Sequence, residues 1–209
     1  MPLKIYLPLG LLSIAATFTI ACTNNRSADE TVTSLEESKA TRDILKKRGE
    51  TIDDAIATGF KYAEKNDPKA LLVADSLITL GKTNVDIANG FYLKGIYFAN
   101  INNTDKAIAC FDSSILNNYT FTEPYIEKAI LRYESKKFDL AIDLLSKASQ
   151  LDRYNPEIYY WMAKNYESQK NQEEALFYYE QTLVLDPNFN DAKDAIEHLK
   201  TNSKTTDKK

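Results

Sequence analysis

Apolar residues follow two different rhythms along this chain. From Ile5 to Ala21 they form an uncharged run, preceded by one positive charge at Lys4 and followed at once by the polar stretch Thr23 to Glu30. From Thr51 onward they come in short amphipathic stretches, three and four residues apart, interrupted by Asn, Lys and Pro. That second rhythm predicts helices. Small residues in it recur with a step of 34, at Gly95, Ala129 and Ala163, at Ala107, Ala141 and Ala175, and at Ser114, Ala148 and Thr182. Aromatics keep the step at Phe91, Tyr125 and Tyr159, large residues at Phe111, Leu145 and Tyr179, and acids at Asp105, Asp139 and Glu173. Columns sharing one period mark a structural repeat, with units 88–121, 122–155 and 156–189.

Each unit divides into two helical stretches. In the third, Glu157 to Gln169 and Glu173 to Leu185 flank the turn Lys170-Asn171-Gln172. The recurrent acid opens the second helix, where the positive end of the helix dipole favours it. Small residues in the eighth and twentieth places let the two helices approach closely, and Pro187 stops the last one. Residues 51–84 read as a degenerate fourth hairpin: Ile52, Ile56, Phe60 and Ala63 keep helical spacing, Asp67-Pro68 breaks it, and Ala70 to Leu80 resumes. Residues 190–200 read as a capping helix that covers the open end of the array. The polar, basic tail 201–209 is expected to be disordered. Residues 22–50 read as a polar tether, with a helix from Ser34 to Lys47 left open at its end.

The third unit resembles the tetratricopeptide repeat through Tyr159, Met162, Ala163, Tyr166, Ala175, Tyr179 and Leu185-Asp186-Pro187. The second resembles it through Tyr125, Ala129, Ala141, Leu145, Ala148 and Leu151-Asp152, with Arg132 and Arg153 departing from the pattern. The first does so through Phe91, Gly95, Phe98, Ala107 and Phe111, and Lys94 and Lys128 stand where Leu is usual. The resemblance implies an all-α fold, an α-solenoid of tandem helix-turn-helix hairpins, and a role in protein–protein interaction.

The first apolar run is seventeen residues long and would span roughly 25 Å as a helix, less than the ~30 Å of a bilayer core. With its single leading charge it reads as a signal peptide over residues 1–21. It ends in Thr19-Ile20-Ala21-Cys22, which resembles the bacterial lipoprotein box, although Thr19 stands where Leu is usual. The resemblance implies a lipid-modified Cys22, an anchor in the bilayer, and a place in the cell envelope, on the outer membrane facing the periplasm. The same residues fit ordinary secretory cleavage, which leaves Cys22 as a free thiol.

In the repeat the resemblance implies, the first helix of each hairpin lines the concave side. The fourth, seventh, eighth and eleventh places pack on the partner helix, so the second, fifth, ninth and twelfth form another stripe. That stripe runs Asn89, Tyr92, Ile96, Ala99; Glu123, Ile126, Ile130, Tyr133; Glu157, Tyr160, Lys164, Glu167. The partner-binding groove is assigned to Tyr92, Ile96, Ile126, Ile130, Tyr133, Tyr160 and Lys164. The fifth place holds Tyr92, Ile126 and Tyr160 where chaperone-binding relatives carry a basic carboxylate clamp, so an apolar helix or extended segment fits better. The groove residues are either open to a partner or covered by an N-terminal helix and neighbouring hairpins. Trp161 is either such a contact or packing between hairpins.

Composition narrows the function further. A net charge of −4 argues against nucleic acid as a partner. His198 is the single histidine and stands on the capping helix, which excludes a His-rich zinc site and most Ser/His or Cys/His catalytic arrangements. Two cysteines are too few for a disulfide framework, and Cys110 reads as a small buried apolar residue. No phosphate loop or metal-ligand spacing occurs, so no cofactor, metal or catalytic residue is expected. A membrane-anchored scaffold for another envelope protein is the leading expectation. A glycan- or nutrient-binding envelope lipoprotein is the alternative.

Overall fold

A computed structural model describes residues 51–206, with side chains to residue 201. Cys22, the signal run and the tether lie outside the described residues, as do residues 207–209. Among the described residues the chain is all-α, with nine helices. They are α1 (Ile52–Glu64), α2 (Lys69–Leu80), α3 (Asn84–Asn100), α4 (Thr104–Asn117), α5 (Glu123–Glu134), α6 (Phe138–Leu151), α7 (Pro156–Ser168), α8 (Gln172–Leu185) and α9 (Asn190–Thr206). The first eight pair into four successive hairpins. Two compact units divide between Asn118 and Tyr119, α1–α4 in one and α5–α9 in the other.

All four hairpins turn in the same way. Asn66, Asn102, Lys136 and Lys170 follow the first helix with φ of 54°, 59°, 57° and 64°, in the left-handed region. That geometry aims two amides back at carbonyls the helix leaves unpaired. Lys136 N–H donates to the Tyr133 carbonyl at 2.8 Å and Lys137 N–H to that of Arg132 at 2.8 Å. Lys170 and Asn171 donate in the same way to Glu167 and Tyr166, both at 2.9 Å. Asn66 with Asp67, and Asn102 with Asn103, complete the series. The hairpin of residues 51–84, weak in sequence, thus shares the turn of the others.

Two helices differ in length from what the repeat columns suggested. α3 begins at Asn84, ahead of Ala88, because Thr83 and Asp86 form a capping box. The Thr83 hydroxyl accepts from Asp86 N–H at 3.1 Å, and the Asp86 carboxylate accepts from the amides of Thr83 at 3.1 Å and Lys82 at 2.9 Å. Thr51 and Asp54 open α1 with the same box, and these hydrogen bonds hold the exposed Asp54 carboxyl below its usual range. At the other end α9 runs on to Thr206, so residues 201–206 continue the helix where a disordered tail was expected.

The first unit packs by close approach and charge. Gly90 on α3 meets α2, and a Cβ there would lie 2.8 Å from the Ala74 carbonyl oxygen. Gly95 lies against the Phe111 ring, which would collide with any side chain. Lys94 is 5% exposed and its Nζ lies 2.7 Å from Asp75 on α2, so the basic residue that breaks the repeat pattern forms a buried ion pair. Asn100 donates from α3 to the Ala63 carbonyl at the end of α1, at 3.0 Å. Cys110 is wholly buried, as expected, but it is not present as a free thiol.

The second unit packs with larger side chains. Ala129, Ala141 and Ala148 lie at the closest contacts with Ile126, Leu145, Ile158 and Met162 around them. A second cluster joins Ala163, Ala175 and Tyr179 to Ala192 and Leu199 of α9, which covers the last hairpin. The repeating fourth-place tyrosines also tie down the loops before their helices. Tyr125 donates to the Tyr119 carbonyl at 3.2 Å and Tyr159 to that of Arg153 at 3.0 Å.

Candidate interaction surface

Each unit presents its own part of the expected stripe. In the first unit Tyr92 and Ile96 are half-buried on α3. The Tyr92 ring lies 5.6 Å from that of Phe60 on α1 and 5.9 Å from that of Phe111 on α4, so it fills the space between helices as much as it faces outward.

In the second unit the stripe divides. Ile126 is only 3% exposed and sits in the core with Ala129, Leu145 and Ile158. Its place on the groove is therefore corrected: the fifth position of α5 points into the unit. Ile130, Tyr133, Tyr160 and Lys164 remain half-exposed, as does Trp161 beside them. Their rings make a continuous row. Phe138 contacts Tyr133 at 5.7 Å, Tyr133 contacts Trp161 at 5.6 Å, Trp161 contacts Tyr160 at 5.7 Å, and Tyr160 contacts Phe189 at 4.9 Å. Trp161 thus joins α5 to α7 and keeps part of its surface open, so packing and exposure coexist.

Polar groups fix this row. Trp161 donates from Nε1 to Glu157 at 3.4 Å, and Ser168 donates to the Tyr133 hydroxyl oxygen at 3.2 Å. The Lys164 ammonium stands 6.0 Å above the centre of the Tyr133 ring, within cation–π range. Beneath the row Tyr179 is wholly buried, and its hydroxyl donates to Glu167 at 2.6 Å. Burial, with that bond to a carboxylate, pushes the Tyr179 phenol far above its usual range. Burial also raises the Tyr160 phenol, with Asp191 and Glu167 near enough to add to it. Among the described residues, no helix is long and apolar enough to cross a membrane. No group of three or more His, Cys, Asp or Glu side chains among them is placed to hold a metal ion.

Residues 156–189, which supply α7 and α8, match the family model for the tetratricopeptide repeat. Solved structures extend the likeness to the other hairpins. The TPR domain of Arabidopsis OM64 aligns with a TM-score of 0.55 at 24% identity, over 57% of this chain and 98% of that one. The first TPR domain of human RPAP3 aligns at 0.54 and 21%, over 58% and 95%. MamA from Desulfovibrio magneticus aligns at 0.59 and 16%, over 73% and 85%. Another RPAP3 structure, with 22% identity and a TM-score of 0.54, holds the HSP90 peptide SRMEEVD and aligns over 56% of this chain and 95% of that one. At these identities the likeness is one of fold. No curated protein sequence matches the chain.

Two features of the repeat surface escaped the sequence argument. Phe189, between α8 and α9, covers one side of Tyr160. Asp191 opens α9 in register with Glu123 and Glu157, so the acidic second place continues into the capping helix. Extending the repeat columns by one unit would have found Asp191. Phe189 had no periodic counterpart to reveal it.

Proposed function

We propose that this chain is a non-catalytic interaction scaffold held in the bacterial cell envelope by a lipid on Cys22, and that its second unit grips a segment of another envelope protein. The observation that carries the binding part is the half-exposed ring row Tyr133–Trp161–Tyr160, set on the first helices of consecutive repeats. Rigid aromatic groups bury much area at little entropic cost, which is why they dominate interface energetics. A standard interface would bury roughly 800 Å² on each partner, more than the row alone offers, so the partner also meets its polar surroundings.

A photo-crosslinking amino acid at Lys164 or Ile130, introduced in living cells, tests the surface. One protein partner should be trapped from both positions and none from Asp143, an exposed residue of α6. Equal trapping from Asp143 would remove the assignment.

The anchor makes a covalent demand. The chain has two cysteines, so a thioether at Cys22 and a disulfide between Cys22 and Cys110 exclude each other. Mass spectrometry of protein extracted from membranes should find diacylglycerol on the Cys22 peptide. A Cys22–Cys110 disulfide peptide in that material would refute the anchor and leave the binding surface standing.

A further inference from the structure

The partner's chemistry follows from the charges around the ring row, given that the row is the binding surface. Glu123 and Glu157 hold the second place of the units 122–155 and 156–189, Asp191 on α9 follows at the same step of 34, and all three are exposed. Glu167 lies close enough to Tyr160 to act on its phenol, as does Asp191. Lys164 is the one basic residue on the stripe positions of α5 and α7, and its ammonium already faces the Tyr133 ring. The chain thus shows on itself that this ring face accepts a cation. A carboxylate-bearing segment such as SRMEEVD would face these acids with a single positive group to meet it.

We infer that the second unit binds a cationic, partly apolar segment, whose arginine or lysine side chains lie along Glu123, Glu157 and Asp191 while its apolar side chains cover the ring row. Lys164 acts as an internal competitor, occupying the Tyr133 face until the partner's cation displaces it. Successive first helices of packed hairpins stand roughly 8–10 Å apart, which an extended chain spans in three residues at ~3.3 Å each. The matching pattern is a basic residue at every third position.

The test uses fluorescence anisotropy with the purified chain and two labelled 13-residue peptides. One carries Arg at every third position with Leu and Ser between, and the other carries Glu in place of Arg. The Arg peptide should bind, and its affinity should fall about tenfold between 50 and 300 mM salt, as screened charge attraction requires. Lys164→Gln should tighten it about threefold and Glu157→Gln should loosen it about threefold, each through one exposed charge. Asp143→Asn, the same charge change on α6, should leave it unaltered.

Preference for the Glu peptide, or weaker Arg-peptide binding by Lys164→Gln, would overturn the cationic partner and leave the scaffold in place. Equal losses from Glu157→Gln and Asp143→Asn would trace the attraction to net charge and also overturn it. Binding of neither peptide overturns it too, and the crosslinks from Lys164 then decide whether the scaffold itself survives.

Discussion

The two units share their turns and differ in what fills them. In α1–α4 the helices meet through glycines and a buried Lys94–Asp75 ion pair. In α5–α9 they meet through alanines, with leucine, tyrosine and tryptophan around them. Yet Asn66, Asn102, Lys136 and Lys170 adopt one conformation and serve the same carbonyls. The hairpin therefore depends on a small residue at the crossing and a left-handed residue at the turn. Neither requires a particular core. The filling is free to vary, and the variation leaves an aromatic row half-open in the second unit, where Gly95 and Phe111 close up tightly in the first.

Four changes would break or sharpen that comparison. The largest effect is expected from Ala141→Glu. Ala141 is wholly buried, so the substitution forces bulk and charge between α5 and α6. It should cost about 3–5 kcal/mol in denaturant titration, with faster hydrogen exchange in the second unit. Unaltered exchange there would mean that the crossing tolerates side chains.

Asp75→Ala is the counterpart in the first unit. It removes the carboxylate 2.7 Å from a buried ammonium and should cost about 3 kcal/mol, because the buried charge loses that partner. Lys94→Met, which removes the charge instead, should cost far less. Equal losses from the two variants would show that the pair contributes by packing.

Tyr179→Phe removes one hydrogen bond, at about 1 kcal/mol near neutral pH. Its sharper signature is alkaline. A phenol whose folded-state pKa is raised stabilises the fold fully below its ordinary value near 10, and that contribution fades as pH climbs beyond it. Stability of the unaltered protein should thus decline above about pH 10, and the variant should lack that part of the decline. Identical alkaline curves would separate Tyr179 from the effect.

The smallest change is a gain. Lys136 pays a left-handed backbone cost that Gly avoids, partly offset by the extra freedom of glycine in the unfolded chain. Lys136→Gly should therefore add about 0.5–1 kcal/mol. A loss would mean that the lysine side chain contributes more than its backbone strain removes.

Much of the fold was legible. Gly95, Ala129 and Ala163, like Ala107, Ala141 and Ala175, recur because helices crossing at short range admit nothing larger, and all six are buried. The same columns placed Tyr133, Tyr160 and Lys164 on a shared stripe. They erred at Ile126, whose helical angle matches that of Tyr92 and Tyr160 while its surroundings do not. Thr51 and Thr83, each three residues before an Asp, signalled the helix starts in a pattern that the repeat columns pass over.

The sequence by itself determined that the chain folds as successive helical hairpins, since periodic small residues constrain any helix pair locally. Tertiary structure alone decided which stripe residues stay open, because exposure depends on neighbours remote in the chain. Phe189 reaches Tyr160 from beyond α8, and Trp161 meets Tyr133 across two helices. A residue's angle around its own helix carries no information about either contact.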